Sequence, residues 1–446
     1  MNKHQEQLRT EPIPKLLLKQ SIPAMVGLLV MSLYNVVDTI FIGQGVGTLA
    51  IAGLAITFPI TMIAFAFAQA IGMGSSSIIS RALGARDHEK AEHTLGNFFT
   101  LIVIESAIVM LIGLVFMEPL LHTFGASAEV LPYAREYFAI VIWGIFFSSF
   151  AASGNFIIRS EGNAKFAMSI MISSSLINII LDPIFIFSFD MGLKGAAFAT
   201  VIAQAVAAIV GIYYFASGKS SVKIHLKNLA PKYKIVKETL SIGSSALARH
   251  VSMSLMTAIL NNALALYGGD IAIASFGVIN RVLMVVFMPM FGIVQGMLPI
   301  LGYNYGAKQF SRARQSIILA IKYSSLIAFT VFIILMVFPH QIIMIFSSDQ
   351  ELIDLSARAM RIIIITLPFI GFQVIGGGVY QAIGHARMAL FMSLLRQVII
   401  LIPLVIILPM LYQLNGIWAA FPIADLLSTI VTFFIIRRLL HRLHVI

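Results

Sequence analysis

The hydropathy pattern of this chain constrains its fold more than any other feature. A transmembrane helix needs about 20 apolar residues to cross a hydrocarbon core of about 30 Å. Of the 446 residues, 59% are hydrophobic and 11% are charged, whereas a soluble domain carries roughly 25% charged residues. This composition excludes a soluble enzyme and a disordered chain. The sequence predicts twelve spans, at 16–42, 50–80, 96–117, 131–157, 165–189, 193–216, 236–265, 271–303, 316–338, 357–380, 388–411 and 415–436.

The basic residues are distributed unevenly between the two sides that these spans define. With the amino terminus inside the cell, twenty-three lysines and arginines fall on inner segments and four on outer ones, namely Arg135, Lys194, Arg358 and Arg361. Short cytoplasmic loops carry such an excess of positive charge. We therefore expect both termini to be cytoplasmic. Membrane lipids explain the net charge of +11 better than nucleic acid does, because no stacking aromatics alternate with the basic residues.

The chain repeats itself after its longest polar stretch. Gly84-Ala85-Arg86 returns 222 residues later as Gly306-Ala307-Lys308, and Gly162-Asn163-Ala164-Lys165 returns at the same offset as Gly384-His385-Ala386-Arg387. The sequence thus predicts an all-α polytopic membrane protein of twelve transmembrane helices in two pseudo-symmetric six-helix bundles. We expect an N-terminal lobe at 1–216, a cytoplasmic linker at 217–238 and a C-terminal lobe at 239–446. Two such halves are typical of a rocking transporter.

Several ionisable residues lie inside predicted spans, where each costs about 2.5–3.5 kcal/mol on insertion scales. At 1.5 Å per residue, Asp38 lies about 8 Å and Asp182 about 10 Å below the outer surface, and Thr200 lies at a similar depth. Asn178 precedes Asp182 by four residues and Tyr34 precedes Asp38 by four, so each pair shares a helix face. We expect these five side chains to converge on one buried site that binds a proton or a sodium ion.

Two interpretations of this site remain open from the residues alone. The polar groups can be a coupling site, or they can be interhelical packing groups that satisfy each other. Two carboxylates close together in a low dielectric cannot both stay ionised cheaply, which favours a coupling site. Pro23 lies on the same helix as Asp38, fifteen residues before it. We predict that protonation changes how this helix bends at Pro23.

The second half has no matching pair of acids. Asp425 lies about 15 Å into span 12, where it either pairs with Arg281 or contacts a cationic substrate. Glu105 in span 3 is either a packing residue or a substrate contact. The chain has no cysteine, which excludes disulfides and thiolate metal sites. We predict no cofactor and no metal site other than a sodium ion at Asp38 and Asp182.

The residues together resemble the multidrug and toxic compound extrusion (MATE) family, and most closely its bacterial branch that contains the MepA and DinF proteins. The resemblance rests on the joint spacing of Pro23, Tyr34 and Asp38 in span 1, Asn178 to Pro183 in span 5, Thr200 in span 6 and the repeated Gly-Ala-Arg/Lys. It covers essentially the whole chain. Members of the NorM-like branch carry acidic residues on spans 7 and 10. The interiors of spans 7 and 10 of this chain contain no acidic residue.

The resemblance implies the function of the chain. It implies a bacterial inner-membrane antiporter, not an enzyme, that exports amphipathic, often cationic drugs and dyes in exchange for H⁺ or Na⁺. It also implies that Tyr34, Asp38, Asn178, Asp182 and Thr200 form the coupling site, with bending at Pro23. A monomer suffices for this cycle. The possible substrate contacts are Glu105, Asp425, Arg281, Met31, Phe65, Phe150, Met256, Met284, Met288 and Gln295.

Two other functions fit the sequence less well. A flippase for lipid-linked precursors, from the same superfamily, would need a strongly basic central cavity, and the buried arginines here are few. An intramembrane enzyme would need a nucleophile and base or a metal constellation at one depth. His88 and His93 flank Glu89 and Glu92 but are five residues apart, so they do not share a helix face as zinc ligands would.

Overall fold

The computed structural model describes residues 3–445, and its secondary structure is helical. Ten helical segments in this part of the chain are long and apolar enough to cross a membrane. Two of them are helical hairpins, because the backbone leaves the helical region at Gly269 (φ 66°, ψ −166°) and at Gln413 (φ 49°, ψ −136°). The ten segments therefore make twelve crossings, which confirms the predicted number of spans and the all-α polytopic fold.

The first half of the chain, from residue 3 onwards, contains nine helices. α1 is a short amphipathic helix, and α5 is a short connection. α6 and α7 join through a 3-10 turn at Ile142–Gly144 into one crossing, and α8 continues into a π-helical turn at Ile184–Ser188. The helices are α1 (Lys3–Thr10), α2 (Ile13–Gly45), α3 (Thr48–Gly84), α4 (His88–Val115), α5 (Met117–Thr123), α6 (Leu131–Val141), α7 (Ile145–Ser160), α8 (Ala164–Pro183) and α9 (Gly192–Ala216).

The second half follows the same plan. A 3-10 turn at Leu226–Leu229 interrupts the segment that links α9 to α10, and a π-helical segment at Leu395–Leu401 connects α15 to α16. α13 and α14 make one crossing through a 3-10 turn at Ile364–Thr366. The helices are α10 (Tyr233–Gly306), α11 (Phe310–Val337), α12 (Pro339–Met344), α13 (Gln350–Ile363), α14 (Leu367–Ala382), α15 (Ala386–Leu394) and α16 (Ile402–Val445).

The internal repeat is visible in the backbone of the turns. Most L-residues avoid positive φ, yet four such turn positions recur in the second half at an offset of 222 or 223 residues. The pairs are Gly47 with Gly269, Arg86 with Lys308, Gly162 with Gly384, and Asp190 with Gln413. The chain therefore forms the same tight turns at equivalent places in both halves, including at the two repeated sequence motifs.

Contacts divide the chain into two compact units that do not coincide with its halves. The first unit comprises the segment up to Thr10 together with Val26–Gly243, and the second comprises Glu11–Met25 together with the chain from Ser244 onwards. α2 and α10 each contribute one end to each unit. The boundary in α2 falls two residues after Pro23, and α2 continues through this proline as a single helix.

The two parts of α2 pack against different helices. In the second unit, Ser21 and Met25 touch the backbone of α10 so closely that a Cβ on Gly296 or Gly292 would overlap them. In the first unit, Gly27 lies against the side chain of Met171 on α8. The packing partner of α2 thus changes between Met25 and Gly27, next to the proline that removes a backbone donor.

Glycines also allow a close helix contact inside the first unit. A Cβ placed on Gly74 of α3 would overlap the carbonyl oxygen of Thr239 on α10, and a Cβ on Gly243 would overlap that of Ala70. Each of the two glycines thus faces the backbone of the other's helix in a reciprocal arrangement. Small residues at such positions let membrane helices approach to backbone contact.

Candidate functional site

A cluster of polar side chains lies inside the first unit, between α2, α8 and α9. Asp182 is fully buried, and Asp38 and Asn178 are 8% and 2% exposed. The Asn178 Nδ2 atom donates hydrogen bonds to Asp182 Oδ1 at 3.3 Å and to Thr200 Oγ1 at 3.4 Å. The carboxyl groups of Asp38 and Asp182 lie close enough to share a hydrogen bond once one of them carries a proton. The structure thus brings together four of the five predicted coupling residues in direct contact.

The local sequence of α8 explains this geometry. Asn178 and Asp182 are four residues apart, so their side chains lie one turn apart on the same face. Pro183 closes α8, and the next five residues form the π-helical turn. Such turns are frequent at functional sites in helices. Further inward, the Ser174 hydroxyl donates to the carbonyl oxygen of Ala203 at 3.0 Å, which joins α8 to α9 and fixes the distance from Asn178 to Thr200.

Three buried oxygen atoms of this cluster accept no hydrogen bond from the described residues. They are Asp38 Oδ1, Asp182 Oδ2 and Asn178 Oδ1. A buried acceptor without a partner costs about 1–3 kcal/mol, and more when it is charged. An ionised carboxylate can only accept hydrogen bonds. A proton on either carboxyl, or a hard cation that prefers oxygen ligands, would remove this cost.

Two tyrosines complete the cluster. Tyr34 lies one turn before Asp38 on α2 and within electrostatic range of both carboxylates. Tyr137 on α6 is 6% exposed, and its hydroxyl lies within hydrogen-bonding reach of Thr200 and in the field of Asp38, Tyr34 and Asp182. Tyr137 was not predicted from the sequence. Its depth in the membrane was the feature of the sequence that could have identified it, because Tyr137 lies six residues after the start of α6, about 9 Å along the helix.

Glu105 belongs to a different part of the first unit. It is 9% exposed on α4, and the Ser106 hydroxyl donates to its Oε2 atom at 3.2 Å. Ser149 on α7 faces the same carboxyl. The second carboxyl oxygen, Oε1, is buried without a partner among the described residues. These contacts do not distinguish the two interpretations of Glu105. Its role as a packing residue or as a substrate contact stays a prediction.

Asp425 is part of an ion pair that was not predicted from the sequence. Its carboxylate accepts hydrogen bonds from the Nε atom of Arg396 and, at 3.2 Å, from the hydroxyl of Thr366. Asp425 is 1% exposed, whereas Arg281 is exposed. The proposed pairing with Arg281 is therefore wrong. Arg396 enters the second unit from the π-helical segment before α16, where its charge compensates that of Asp425.

The predicted substrate contacts lie in different environments. Phe150 is 1% exposed and packs against the rings of Phe98, Phe99 and Phe146. Met256 is also buried, within the apolar core of the second unit. Met284 is 59% exposed, and the remaining apolar and amide candidates are half-buried, namely Met31, Phe65, Met288 and Gln295. Phe150 and Met256 thus act as core residues in this structure.

Comparisons with known proteins agree over the length of the chain. A family model described as MatE matches residues 23–184 and again residues 246–407. The multidrug export protein MepA of Staphylococcus aureus (strain MSSA476) is 28% identical over 434 residues, which cover 97% of this chain and 96% of that protein. Its counterpart from Staphylococcus haemolyticus (strain JCSC1435) is 29% identical over 438 residues, 97% of this chain and 95% of that protein.

Solved structures share the fold. The structure of the MATE multidrug transporter DinF-BH in complex with rhodamine 6G is 45% identical in sequence, covers 98% of both chains and has a TM-score of 0.90. A crystal structure of MATE in the bent conformation is 28% identical and has a TM-score of 0.93, covering 100% of this chain and 99% of that chain.

Proposed function

Because this chain belongs to the MatE family of membrane transporters, we propose that it exports amphipathic, often cationic organic compounds in exchange for inward-moving H⁺ or Na⁺. It is a multi-pass membrane transporter and not an enzyme. The proposal concerns the compounds, the coupling ion and the direction of transport. The 45% identical DinF-BH, which forms a complex with rhodamine 6G, supports a dye-like substrate for this chain.

The observation that carries the coupling proposal is the set of oxygens on Asp38, Asp182 and Asn178 that have no partner among the described residues. A site that holds two buried carboxyl groups side by side favours capture of a positive charge. Antiport requires that the ion and the exported compound favour opposite states of one conformational equilibrium. The charge state of Asp38 is suited to this role, since α2 carries Asp38 in the first unit and Pro23 in the second.

The energy available to one coupling ion suffices for export. Moving one elementary charge across the membrane yields about 2.3 kcal/mol per 100 mV, and one pH unit adds about 1.4 kcal/mol. A difference of about 1.4 kcal/mol corresponds to a tenfold ratio at equilibrium. One ion per cycle therefore supports a gradient of more than tenfold for an uncharged compound. For a monovalent cation the two electrical contributions cancel, and one pH unit supports a gradient of about tenfold.

We place both termini in the cytoplasm of a bacterial cell, because the basic residues cluster on the side that carries the termini. In this orientation the Asp38 cluster lies in the outer half of the membrane. Protonation or sodium binding there would occur from the outside. We further propose that α2 bends near Pro23 in response, and that Pro23→Ala slows export without loss of folded protein.

Dye efflux from proteoliposomes tests the proposal and identifies the ion. Export of rhodamine 6G is measured with a pH gradient alone, with a sodium gradient alone and with neither. We expect one of the two gradients to drive export. The absence of export under both gradients, for a range of cationic dyes, would refute the proposed function.

The role of Asp38 is tested under the effective gradient. We expect Asp38→Asn to reduce driven export at least tenfold, because an amide cannot take up a proton. Asp190→Asn is the matched control, since Asp190 is exposed and asparagine tolerates its positive φ of 51°. Equal export by the parent and a folded Asp38→Asn variant would contradict the assignment. Asp182→Asn provides a second variant if Asp38→Asn does not fold.

A further inference from the structure

The second unit has a cavity of about 310 Å³ near the end of α16, between α11, α14 and α16. Ligand pockets of proteins begin at about this volume. Four basic side chains line it, namely Arg314 on α11 and Arg437, His441 and His444 on α16. Within residues 3–445, no acidic side chain lines this cavity. Within the described residues, the titratable side chains that line this cavity are therefore all basic.

The other wall of the cavity is apolar. Phe372 on α14 and Phe433 on α16 lie with their ring centroids 6.1 Å apart, and Ile436 and Leu440 continue the apolar surface along α16. Phe433 is 47% exposed, so its ring is open to the surrounding hydrocarbon. The cavity thus has an apolar part next to the membrane interior and a basic part next to the aqueous phase.

The helical spacing on α16 produces this gradient. Phe433, Arg437, Leu440, His441 and His444 recur at intervals of one, three or four residues and share one helix face. Phe433 comes first along the chain, Leu440 lies between Arg437 and His441, and the two histidines come last. From Phe433 to His444 the helix rises about 16 Å, which is enough to pass from acyl chains into the headgroup region.

The basic groups of the cavity have no anionic partner within the described part of the protein. Among residues 3–445, no ion pair joins Arg314, Arg437, His441 or His444 to an aspartate or glutamate. The Nε atom of Arg314 is moreover buried and donates to no acceptor in this part of the chain. A buried donor without an acceptor costs about 1–3 kcal/mol, so the pocket favours an anion that supplies one.

We propose that this cavity, the Arg314–Arg437 pocket, binds the phosphate of an anionic membrane phospholipid, with an acyl chain lying over Phe372 and Phe433. Guanidinium groups bind phosphate oxygens through charge-assisted hydrogen bonds. Basic pockets between transmembrane helices on the cytoplasmic side suit anionic headgroups. The assignment to the inner leaflet rests on the proposed orientation of the chain, whereas the lipid chemistry rests on the pocket alone.

The chain offers a matched control for general electrostatic attraction. Arg438 and Arg442 lie on the same end of α16 and are exposed, but they do not line the cavity. The double variant Arg314→Gln/Arg437→Gln removes two positive charges, and so does the double variant Arg438→Gln/Arg442→Gln. A difference in lipid response between the two double variants therefore reports on the pocket and not on the net charge of the protein.

The test is lipid-dependent thermal stabilisation of the purified full-length protein in detergent. Phosphatidylglycerol is titrated against phosphatidylcholine with the same acyl chains, and inorganic phosphate forms a third arm. We expect phosphatidylglycerol to raise the melting temperature of the parent and of Arg438→Gln/Arg442→Gln alike. For Arg314→Gln/Arg437→Gln we expect the half-saturating concentration of phosphatidylglycerol to rise at least tenfold.

Three results would overturn the proposal. Equal loss of the response in both double variants would show attraction to the basic surface only. Equal stabilisation by phosphatidylcholine, whose phosphate is balanced by a choline cation, would show that the net negative charge of the headgroup is not recognised. Equal stabilisation by inorganic phosphate would show a site for the free anion. If the pocket double variant does not fold, Arg437→Gln against Arg438→Gln gives the same comparison, because both side chains are exposed.

Discussion

Arg396 donates from its Nε atom to the carboxylate of Asp425, and this ion pair lies inside the second unit. Asp425 is 1% exposed at its side chain and Arg396 is 24% exposed. Thr366 donates a further hydrogen bond to the same carboxylate. Both charges therefore compensate each other in the interior, and neither is left for a substrate unless the pair opens.

Removal of one partner should destabilise the protein more than removal of both. Asp425→Asn leaves the Arg396 charge unpaired, which typically costs about 3–5 kcal/mol. The double variant Arg396→Gln/Asp425→Asn leaves two amides that can bond to each other. We expect a lower melting temperature in detergent for the single variant than for the double variant.

An exposed ion pair provides the control for this prediction. Arg135 and Glu118 are 3.2 Å apart, and their side chains are 63% and 55% exposed. Exposed pairs contribute about 0–1 kcal/mol, so Glu118→Gln should change the melting temperature little. A single Asp425→Asn variant that melts like the parent would show that the Arg396 pair is not important for stability.

Tyr137 should matter for export although it has no charge to exchange. Tyr137→Phe removes the hydroxyl that reaches Thr200 and leaves the ring in place. The loss of one hydrogen bond of about 1 kcal/mol predicts a decrease of roughly fivefold in driven dye export. Tyr412→Phe is the control, since Tyr412 is 64% exposed. Unchanged export by Tyr137→Phe would exclude the hydroxyl from the coupling site.

The buried carboxyl group of Glu161 predicts that the stability of the protein depends on pH. Its carboxyl lies just beyond α7 and accepts hydrogen bonds from Tyr214, Ser220 and the Ser221 backbone. Burial raises the pKa of Glu161 from 4.5 to about 7, although these hydrogen bonds oppose the shift. The folded protein thus holds this proton more tightly than the unfolded chain does. Its contribution to stability is fully present below about pH 4.5 and is lost as the pH rises through 7.

Melting temperatures between about pH 4.5 and about pH 8 measure this effect. We expect the melting temperature of the parent to fall relative to that of Glu161→Gln as the pH rises across that range, because glutamine does not titrate. Glu129→Gln, at an exposed position, should run parallel to the parent. A Glu161→Gln profile that is also parallel to the parent would contradict the assignment.

We expect alanine substitutions at two glycines to change the stability of the protein in opposite directions, because only one of the two glycines lies at the close contact between α3 and α10. Gly74→Ala makes a Cβ overlap the Thr239 carbonyl oxygen, so the helices must separate, at a cost of about 1–3 kcal/mol or more. A Cβ on Gly277 meets no atom of the described residues within 4 Å. Gly277→Ala should gain up to about 1 kcal/mol from helix propensity. Melting temperatures of the two variants that shift in the same direction would refute this interpretation of the contact.

The sequence was most informative where the signal is periodic or repeated. Apolar stretches of spanning length predict the twelve crossings, and the 222-residue offset reappears in turns such as Arg86 and Lys308. Depth along the spans placed Asp38, Asp182 and Thr200 at one level, and the structure brings their helices together there. These features depend on length and spacing, which a linear sequence retains.

Contacts between helices were less accessible from the sequence. The partner of Asp425 is Arg396 and not Arg281, because rotation and packing of the helices, and not depth alone, decide which side chains meet. Tyr137 was missed for the same reason. Phe150 proved to be a core residue, and hydropathy alone cannot separate core, lipid-facing and cavity positions, since all three are apolar in a membrane protein.

The exchange of helix ends between the two units bears on how the chain can be divided. A cut in the polar segment between α9 and α10 would leave one fragment without 233–243 and the other without 11–25, although contacts assign those residues to the unit that the fragment mainly forms. Each half thus contributes one helix end to the unit that the other half mainly forms. Separate genes for the two fragments would restore a working protein only when both products meet in one membrane.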